Sequence, residues 1–183
     1  MATWTGTSGN NNHDFQTHPG SGDDWGYGGG GHDSIWGWSG SDWLYGEAGN
    51  DWLYGENHRD YLYGGEGGDH VYGGPGDDYI WAGQGKDHIY GGLHGDRYFF
   101  DWSDTGATQA AADIIYDFNN QDTIYLKGEY ALDDADQSPE DGEYTVYQSG
   151  TDWIVKYNLH DTPDAYHYIV VKGHDPHGDF AWF

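Results

Sequence analysis

The sequence predicts an all-β fold: a right-handed, parallel β-roll whose C-terminal end is covered by further strands. Three observations predict it. Nine consecutive nine-residue units run from Pro19 to Phe99, every unit has aspartate at its sixth position, and glycine recurs at the first, second and fourth positions. The eighth position is apolar in most units. A chain with so regular a period is expected to stack one repeated turn on the next and to bury a continuous core between them.

Each nine-residue unit divides into a loop and a strand. Glycine permits positive φ, so the first six residues can make a tight turn with carbonyl groups pointing inward. Side chains alternate along a strand, so the eighth residue points in while the seventh and ninth point out. Two units make one coil with a strand on each side, and units 18 residues apart stack. The expected core column is Ile35, Leu44, Leu53, Leu62, Val71, Ile80 and Ile89.

The aspartates at the sixth position are the candidate metal ligands. A carboxylate adds a hard anionic oxygen to a loop of carbonyl groups, and Ca²⁺ takes six to eight oxygen ligands. We expect several Ca²⁺ ions, each between the loops of neighbouring coils. The alternative for each residue is a turn-capping role. The candidates are Asp24, Asp33, Asp42, Asp51, Asp60, Asp69, Asp78, Asp87 and Asp96.

These nine loops differ in how closely they follow the pattern. Asp60 is expected to be a weak ligand because Glu56 and His58 replace two glycines, and Arg59 puts a cation beside the site. The loops of Asp42 and Asp96 each have one glycine replaced, by Trp38 and His94. The loops closest to the pattern are those of Asp33, Asp51, Asp69, Asp78 and Asp87.

Composition supports a cation-dependent fold. Thirty-two acidic residues face six basic ones, a formal net charge of −26, and the chain has 32 glycines. Self-repulsion and backbone entropy should leave such an array disordered without cations. Acidity could merely make the surface soluble, but carboxylates at a fixed period of nine argue against that. A surface of this sign disfavours nucleic acid as a partner.

Compartment follows from cysteine, hydropathy and calcium. The chain has no cysteine, no apolar stretch long enough to cross a membrane and no signal-peptide pattern after Met1. Weak calcium sites would stay empty at cytosolic calcium and fill outside the cell. We therefore expect an extracellular protein that is exported without disulfides.

Three regions are predicted. Residues 1–18 are a lead-in with a degenerate first loop at Gly9–Asp14, residues 19–99 are the repeat array, and residues 100–183 are a β-rich cap. Within the cap, Asp113–Leu126 reads as two strands around a turn, and Glu143–Tyr157 as a hairpin joined at Ser149-Gly150. Residues 166–172 read as another strand, and residues 133–142 as a mobile acidic loop.

The repeats followed by D-I-I-x-D-F-x-x-x-D-x-I-x-L, beginning at Asp113, resemble the RTX (repeats-in-toxin) β-roll domains. These occur at the C-terminus of serralysin-type metalloproteases and as the R-modules of mannuronan C5-epimerases. The terminus Asp179-Phe-Ala-Trp-Phe183 is similar to the acidic-then-apolar end that type I secretion systems recognise. The resemblance implies calcium-dependent folding and export from a Gram-negative bacterium through an ABC-transporter channel. In those families the module follows a catalytic domain.

No catalytic site is evident in the sequence. It has no His-Glu-x-x-His and no Gly-x-Ser-x-Gly, and without cysteine there is no thiol nucleophile. His70 and His88 share the seventh position two units apart and should stack about 4.8 Å apart. They could bind a transition metal, but exposed surface histidines are the favoured interpretation. We expect a non-enzymatic protein.

Aromatic residues fill the ninth position of all nine units and should form an outward row on each sheet. Exposed rows of rings are costly unless they stack, meet a partner or bind a ligand. Three interpretations stay open: stacking that stiffens the roll, polysaccharide binding and self-association. The candidate ligand face is Trp36, Tyr54, Tyr72, Tyr90, Tyr45, Tyr63 and Trp81.

The predicted function is a calcium-binding module that folds on extracellular calcium and supports type I secretion, with a candidate carbohydrate-binding face. Its partners are calcium, the secretion machinery, and a polysaccharide or a second copy of the chain. The alternatives are an adhesive, self-associating surface protein, or the detached tail of a secreted protease or polysaccharide-modifying enzyme.

Overall fold

The computed structural model describes residues 1–14, 22–100, 111–126, 144–158, 166–173, 176 and 180–182. The predicted acidic loop at 133–142 lies outside them. The described residues form strands and no α-helix, so no helix among them could cross a membrane. The strands are β1 Thr3–Thr5, β2 Asn12–Asp14, β3 Trp25–Gly30, β4 Ser34–Ser39, β5 Trp43–Ala48, β6 Trp52–Asn57, β7 Tyr61–Glu66, β8 His70–Pro75, β9 Tyr79–Gln84, β10 His88–Leu93, β11 Arg97–Phe100, β12 Asp113–Phe118, β13 Thr123–Leu126, β14 Tyr144–Ser149, β15 Asp152–Asn158, β16 Tyr166–Gly173 and β17 Phe180–Trp182.

The strands build two sheets that the chain visits alternately. The first sheet has the order β1-β3-β5-β7-β9-β11-β13-β17, and the second has β14-β15-β16-β12-β10-β8-β6-β4-β2. Strands of the repeat array pair in parallel with the strand one coil away, as Leu44 pairs with Leu62 and Leu53 with Val71. This is the predicted β-solenoid with two units per coil, and the predicted all-β fold class is confirmed.

The core is the column of eighth-position side chains between the sheets. Leu44, Leu53 and Leu62 have no exposed surface, and neither do Ile35, Val71 and Ile89. Burying one such side chain contributes about 1.5–3 kcal/mol. Tyr98 occupies the eighth position of the last unit and is also fully buried, and the column continues beyond it through Ile115 and Ile124. Short repeats thus obtain a continuous core only by stacking.

Glycine at the fourth position sets how closely the coils approach. Gly67 has φ of +129°, and a Cβ built on it would lie 1.7 Å from the carbonyl oxygen of Gly49, one coil earlier. Gly85 meets Gly67 in the same way, also at 1.7 Å. A side chain at Gly67 or Gly85 would meet the backbone of the preceding coil, which explains why glycine predominates at the fourth position.

The chain beyond Phe100 extends the same two sheets. Strand β12 pairs in parallel with β10, and β13 with β11, so they add one further coil. Strand β16 then pairs in parallel with β12, and β15 and β14 follow antiparallel. Val155, Ile169 and Val171 of these strands are buried against the core column. At the other end, β1 and β2 pair with β3 and β4.

Candidate metal centre

The sixth-position aspartates form two rows along the loops, one on each side of the roll. In both rows the carboxylate Oδ1 accepts a hydrogen bond from the backbone N–H of the aspartate one coil earlier. Asp51 accepts from Asp33 at 2.7 Å, Asp60 accepts from Asp42 at 2.8 Å, and the pattern repeats up to Asp96, which accepts from Asp78 at 3.0 Å. The sequence reasoning expected an ion to join these loops; the structure adds a direct backbone-to-carboxylate bond.

The second carboxylate oxygen, Oδ2, is the atom of these aspartates that needs a compensating partner. In Asp33, Asp42, Asp51, Asp60, Asp69, Asp78 and Asp96, Oδ2 is buried and has no hydrogen-bond partner among the described residues. All seven residues are fully buried. A buried polar atom without a partner costs free energy, and a buried charge costs far more. Either a proton or a metal ion has to compensate it.

Burial raises the pKa of these carboxyl groups towards or beyond neutrality. The pKa of Asp60 rises to about 9, and the charges of Asp78 and Asp42 add to the effect of burial. Burial likewise raises the pKa of Asp96 to about 8. For Asp42, Asp69 and Asp78 the value is about 7, and for Asp51 about 6. Backbone N–H donors oppose the shift but do not cancel it.

The oxygens around each Oδ2 fit Ca²⁺ in kind. A Cβ built on Gly46, the first residue of its unit, would lie 2.6 Å from Oδ2 of Asp51 and 2.4 Å from the carbonyl oxygen of Gly64. On Gly73 the corresponding distances are 2.5 Å to Asp78 Oδ2 and 2.4 Å to the Gly91 carbonyl oxygen. Carboxylate and carbonyl oxygens therefore converge on this side of the loop, and both are hard ligands suited to Ca²⁺.

Side chains alone do not complete a site. Within the part of the chain that the structure describes, no group of three or more histidine, aspartate or glutamate side chains is placed to hold an ion. Backbone carbonyl groups must supply the remaining ligands, which agrees with loops of glycine whose carbonyls point inward. His70 and His88 stack at 4.8 Å, as predicted.

The non-glycine loop residues keep the backbone of the pattern. Trp38, Glu47 and Glu56 at the second position have φ of 72°, 74° and 72°, and His58 and His94 at the fourth have 82° and 87°. Each costs about 1–2 kcal/mol relative to glycine. The loop of Asp51, which we expected to be close to the pattern, contains one of these residues, Glu47. In the loop of Asp87, Ala82 replaces the first-position glycine, so the ranking by glycine overlooked two departures.

Arg59 does not act on Asp60 as expected. Its guanidinium Nη2 lies 3.5 Å from Oδ2 of Asp77, and its Nε donates to the Asp77 carbonyl oxygen at 3.2 Å. Its charge lowers the pKa of Asp78, one coil along, and is not among the influences on the pKa of Asp60. A side chain of this length reaches the next coil rather than its own loop.

Both rows extend beyond the nine predicted aspartates. Asp113 accepts from the N–H of Asp87 at 2.8 Å, and Asp122 accepts from Asp96 at 2.9 Å. The separation here is 26 residues instead of 18. The signal in the sequence was the shared ending Asp-x-Ile-Tyr, at Asp113-Ile-Ile-Tyr116 and Asp122-Thr-Ile-Tyr125. Insertion of extra residues before Asp113 hid it from a search at a fixed period.

The ends of one row are satisfied by the protein itself. Asp24 Oδ1 accepts from the backbone N–H of Ala2 and lies 3.5 Å from the terminal amino group. Asp122 Oδ2 accepts from the Asn119 N–H at 2.9 Å and from the Tyr98 hydroxyl at 3.4 Å. Both end carboxylates thus have protein donors from outside the repeat array, while Oδ2 of Asp42, Asp60, Asp78 and Asp96 between them has no hydrogen-bond partner among the described residues.

The outward aromatic side chains stack on one another along both sheets. In the ninth-position row of the first sheet, ring centroids lie 4.3–4.9 Å apart, through Tyr27, Tyr45, Tyr63, Trp81, Phe99 and Tyr125. In the corresponding row of the second sheet they lie 4.6–5.0 Å apart, through Trp36, Tyr54, Tyr72, Tyr90 and Tyr116. A ring inside a row has both faces against its neighbours and shows mainly its edge. This geometry favours the stiffening role for most of the candidate ligand face.

Comparisons with known proteins agree with the repeat pattern. The family model described as RTX calcium-binding nonapeptide repeat (4 copies) matches residues 18–53, 39–71 and 63–98. No curated protein matches the chain. Among solved structures, the chain is similar to the solution structure of the AlgE6R3 subunit from the Azotobacter vinelandii mannuronan C5-epimerase, at 19% identity and a TM-score of 0.39, over 95% of this chain and 79% of that one. Residues 18–98 of this chain therefore match the RTX calcium-binding nonapeptide repeat, and their strands form a parallel β-roll.

Proposed function

We propose that this chain is a non-catalytic, calcium-gated folding module of an exported protein. One observation carries the proposal: the sixth-position aspartates are buried in two rows, and in seven of them Oδ2 has no hydrogen-bond partner among the described residues. RTX repeats imply calcium binding, and the loops supply the hard oxygen ligands that this ion prefers. The proposed ligands are the nine sixth-position aspartates, of which Asp24 is already paired with the terminal amino group, together with loop carbonyl oxygens.

Folding and binding are coupled because neither state of the metal-free array is favourable. If the aspartates ionise in the folded array, like charges lie one coil apart away from water and repel each other. If the coils separate to relieve this repulsion, the apolar core column is exposed to water. A bound Ca²⁺ supplies two positive charges and ligand positions that join consecutive loops. The protein's own contribution is the chain of N–H to Oδ1 bonds, which fixes each carboxylate with Oδ2 turned towards the loop carbonyls.

The extracellular location follows from the same coupling. RTX repeats are typical of secreted or extracellular proteins. A chain that stays unfolded at cytosolic calcium can pass through a type I channel and fold in about 1 mM calcium outside. The apolar terminus compared with secretion signals includes β17, which pairs in parallel with β13. Folding would therefore place that terminus in a sheet after export.

Circular dichroism with and without calcium tests the proposal. We expect little β signal in chelator, a cooperative gain when Ca²⁺ is added, and a weaker response to Mg²⁺, which demands stricter octahedral geometry. Asp78→Asn should raise the calcium midpoint, whereas Glu66→Gln, at an exposed acidic residue outside the carboxylate rows, should leave it nearly unchanged. A chain that keeps the same spectrum and melting temperature in chelator would disprove calcium gating.

Polysaccharide binding is the second candidate, supported by an aromatic surface on both sheets. The ring stacking described above leaves few ring faces open, so ligand contact has to concentrate where a row of rings begins. Adhesive self-association and a role as the tail of a secreted enzyme are alternatives that sedimentation and the full-length gene would test.

A further inference from the structure

We propose that Trp52 is the platform of a subsite that binds one neutral pyranose unit of a polysaccharide. The inference rests on the polysaccharide-binding part of the proposed function and names where on the roll that binding occurs. The seventh-position row of the second sheet runs Ser34, Trp52, His70 and His88, because β4, β6, β8 and β10 pair in register. Trp52 is the first ring of this row.

Trp52 differs from the other rings in how it is covered. One face stacks on His70, with ring centroids 4.1 Å apart and planes 3° from parallel. The strand on its other side carries Ser34 at the paired position, so no ring covers that face. The residue is 39% exposed, and every other tryptophan, tyrosine or phenylalanine whose exposure the structure describes is less exposed.

The open face has polar side chains beside it. Ser34 pairs with Trp52 on one side and with Asn12 of β2 on the other, so a hydroxyl and an amide continue the row in which Trp52 stands. Asn12 is exposed and Ser34 half-buried. Trp36, two residues from Ser34 on the same strand, borders the gap, and its ring stacks on Tyr54 at 5.0 Å.

This combination identifies the chemical class of the ligand. A pyranose has a C–H face that packs on an indole and a rim of hydroxyl groups that bond to hydroxyl and amide side chains. Because Ser34 has no ring, the row has a gap above the open face of Trp52. Neighbouring strands are about 4.8 Å apart, so this gap can hold one sugar ring but not a bulky ligand. Bound Ca²⁺ offsets part of the formal net charge of −26, and the acidic surface that remains disfavours uronates and sulfated sugars, so we take the unit to be neutral.

A matched control exists on the other sheet. Trp43 occupies the same seventh position of its unit, but it is enclosed between Trp25 at 4.7 Å and Tyr61 at 4.9 Å. Replacing Trp43 removes a tryptophan and two stacking contacts without touching an open face. Trp25 begins the row of the first sheet and pairs with Thr3, but it is half-buried. Trp36 and Tyr27 likewise begin the ninth-position rows, paired with Asp14 and Thr5, and both are half-buried. Trp25 shares the seventh position with Trp52 and is the rival platform that the experiment has to distinguish.

The test is affinity electrophoresis in calcium with three soluble probes: hydroxyethyl cellulose, galactomannan and alginate. We expect a neutral polysaccharide to retard the parent, and Trp52→Ser to weaken binding at least about tenfold. Trp43→Ser and Trp25→Ser should bind as the parent does. Ser34→Trp should abolish binding because the new ring fills the gap and extends the row, without raising the calcium midpoint.

Circular dichroism of each variant keeps the two hypotheses separate. If the parent folds on calcium but none of the probes retards it, the subsite is disproved and calcium gating stands. Retention of the parent by alginate alone, or equal losses in Trp43→Ser and Trp52→Ser, would also overturn the subsite, as would a loss specific to Trp25→Ser. A parent that does not respond to calcium contradicts the proposed function instead.

Discussion

Removing calcium at pH 8 and then lowering the pH should refold the metal-free chain. The magnitude follows from the raised pKa values. One pKa unit corresponds to about 1.4 kcal/mol, so ionising Asp60 in the fold, where its pKa is about 9 instead of 3.8, costs about 7 kcal/mol. At pH 8 the folded chain would instead keep Asp60 protonated, which costs about 6 kcal/mol relative to the ionised unfolded chain. This cost alone is comparable with the 5–15 kcal/mol by which domains are typically stable, and burial acts in the same direction on the other shifted aspartates. The metal-free fold should therefore not be populated at pH 8.

The sign of the pH dependence follows from linkage. A carboxyl group whose pKa is raised in the folded state binds more protons there than in the unfolded chain, so acid favours the fold. The stability that protonation gives the metal-free fold is fully present below pH 3.8, the pKa of aspartate in the unfolded chain. It is lost as the pH rises through the pKa values of the folded state, about 6–9. The useful window is pH 8 to pH 5, because the chain approaches its isoelectric point at about 4.2.

The assay is circular dichroism and tryptophan fluorescence on metal-free protein across that window. We expect β signal to appear between pH 8 and pH 5 and calcium to be needed at higher concentration as the pH falls, since protons compete for the same oxygens. Asp60→Asn retains an acceptor for the Asp42 N–H and removes a charge, so its midpoint should move to higher pH. Glu66→Gln removes an exposed charge that is not among the influences on the shifted aspartates, so it should not move the midpoint. A metal-free chain equally folded at both pH values would refute the reasoning.

Three further predictions follow from the loops and rows. Asp69→Ala should raise the calcium midpoint more than Asp60→Ala, because the loop of Asp60 departs further from the pattern; equal midpoints in a calcium titration would show that the glycine ranking is wrong. Gly67→Ala should lower the melting temperature in calcium through the carbonyl clash, and an unchanged temperature would mean that the coils can separate at little cost. Replacing Tyr54 and Tyr72 by Ser should raise the calcium midpoint, since each stacked pair contributes about 0.5–1.5 kcal/mol; an unchanged midpoint would argue against a stiffening role.

Much of the fold could be predicted from the sequence because the same pattern of loop and strand residues recurs in nine units. A period of nine with a strand of alternating side chains determines which residues share a sheet, so the pairing of Leu53 with Val71 and the stacking of His70 on His88 followed directly. The buried eighth position followed from the same alternation. Repetition made each of these inferences independent of any single residue.

The structure differed from the sequence-based expectations in two situations: where the chain departs from its nine-residue period, and where a side-chain contact depends on length, charge or rotamer. The rows continue to Asp113 and Asp122 across a longer connection, and a search with a fixed spacing cannot follow such a change. Arg59 reaches Asp77 on the next coil, a choice set by side-chain length and charge rather than sequence proximity. The rings of the ninth position present edges rather than faces, which depends on side-chain rotamers that a one-letter pattern does not contain.

The pairing of each coil with the residues 18 positions away has a consequence for how such a gene can change in length. Deleting one nine-residue unit would exchange the two sides of the roll for everything that follows it. Without residues 46–54, for example, Tyr61 would take the place of Trp52 beside Ser34, and every downstream side chain would change sheets. Deleting 18 residues, from Asp42 to Arg59 for example, would join Asp24 directly to Asp60 and leave both carboxylate rows unbroken. Related proteins should therefore lengthen and shorten by whole coils, and duplication in steps of 18 codons is the change that this architecture tolerates.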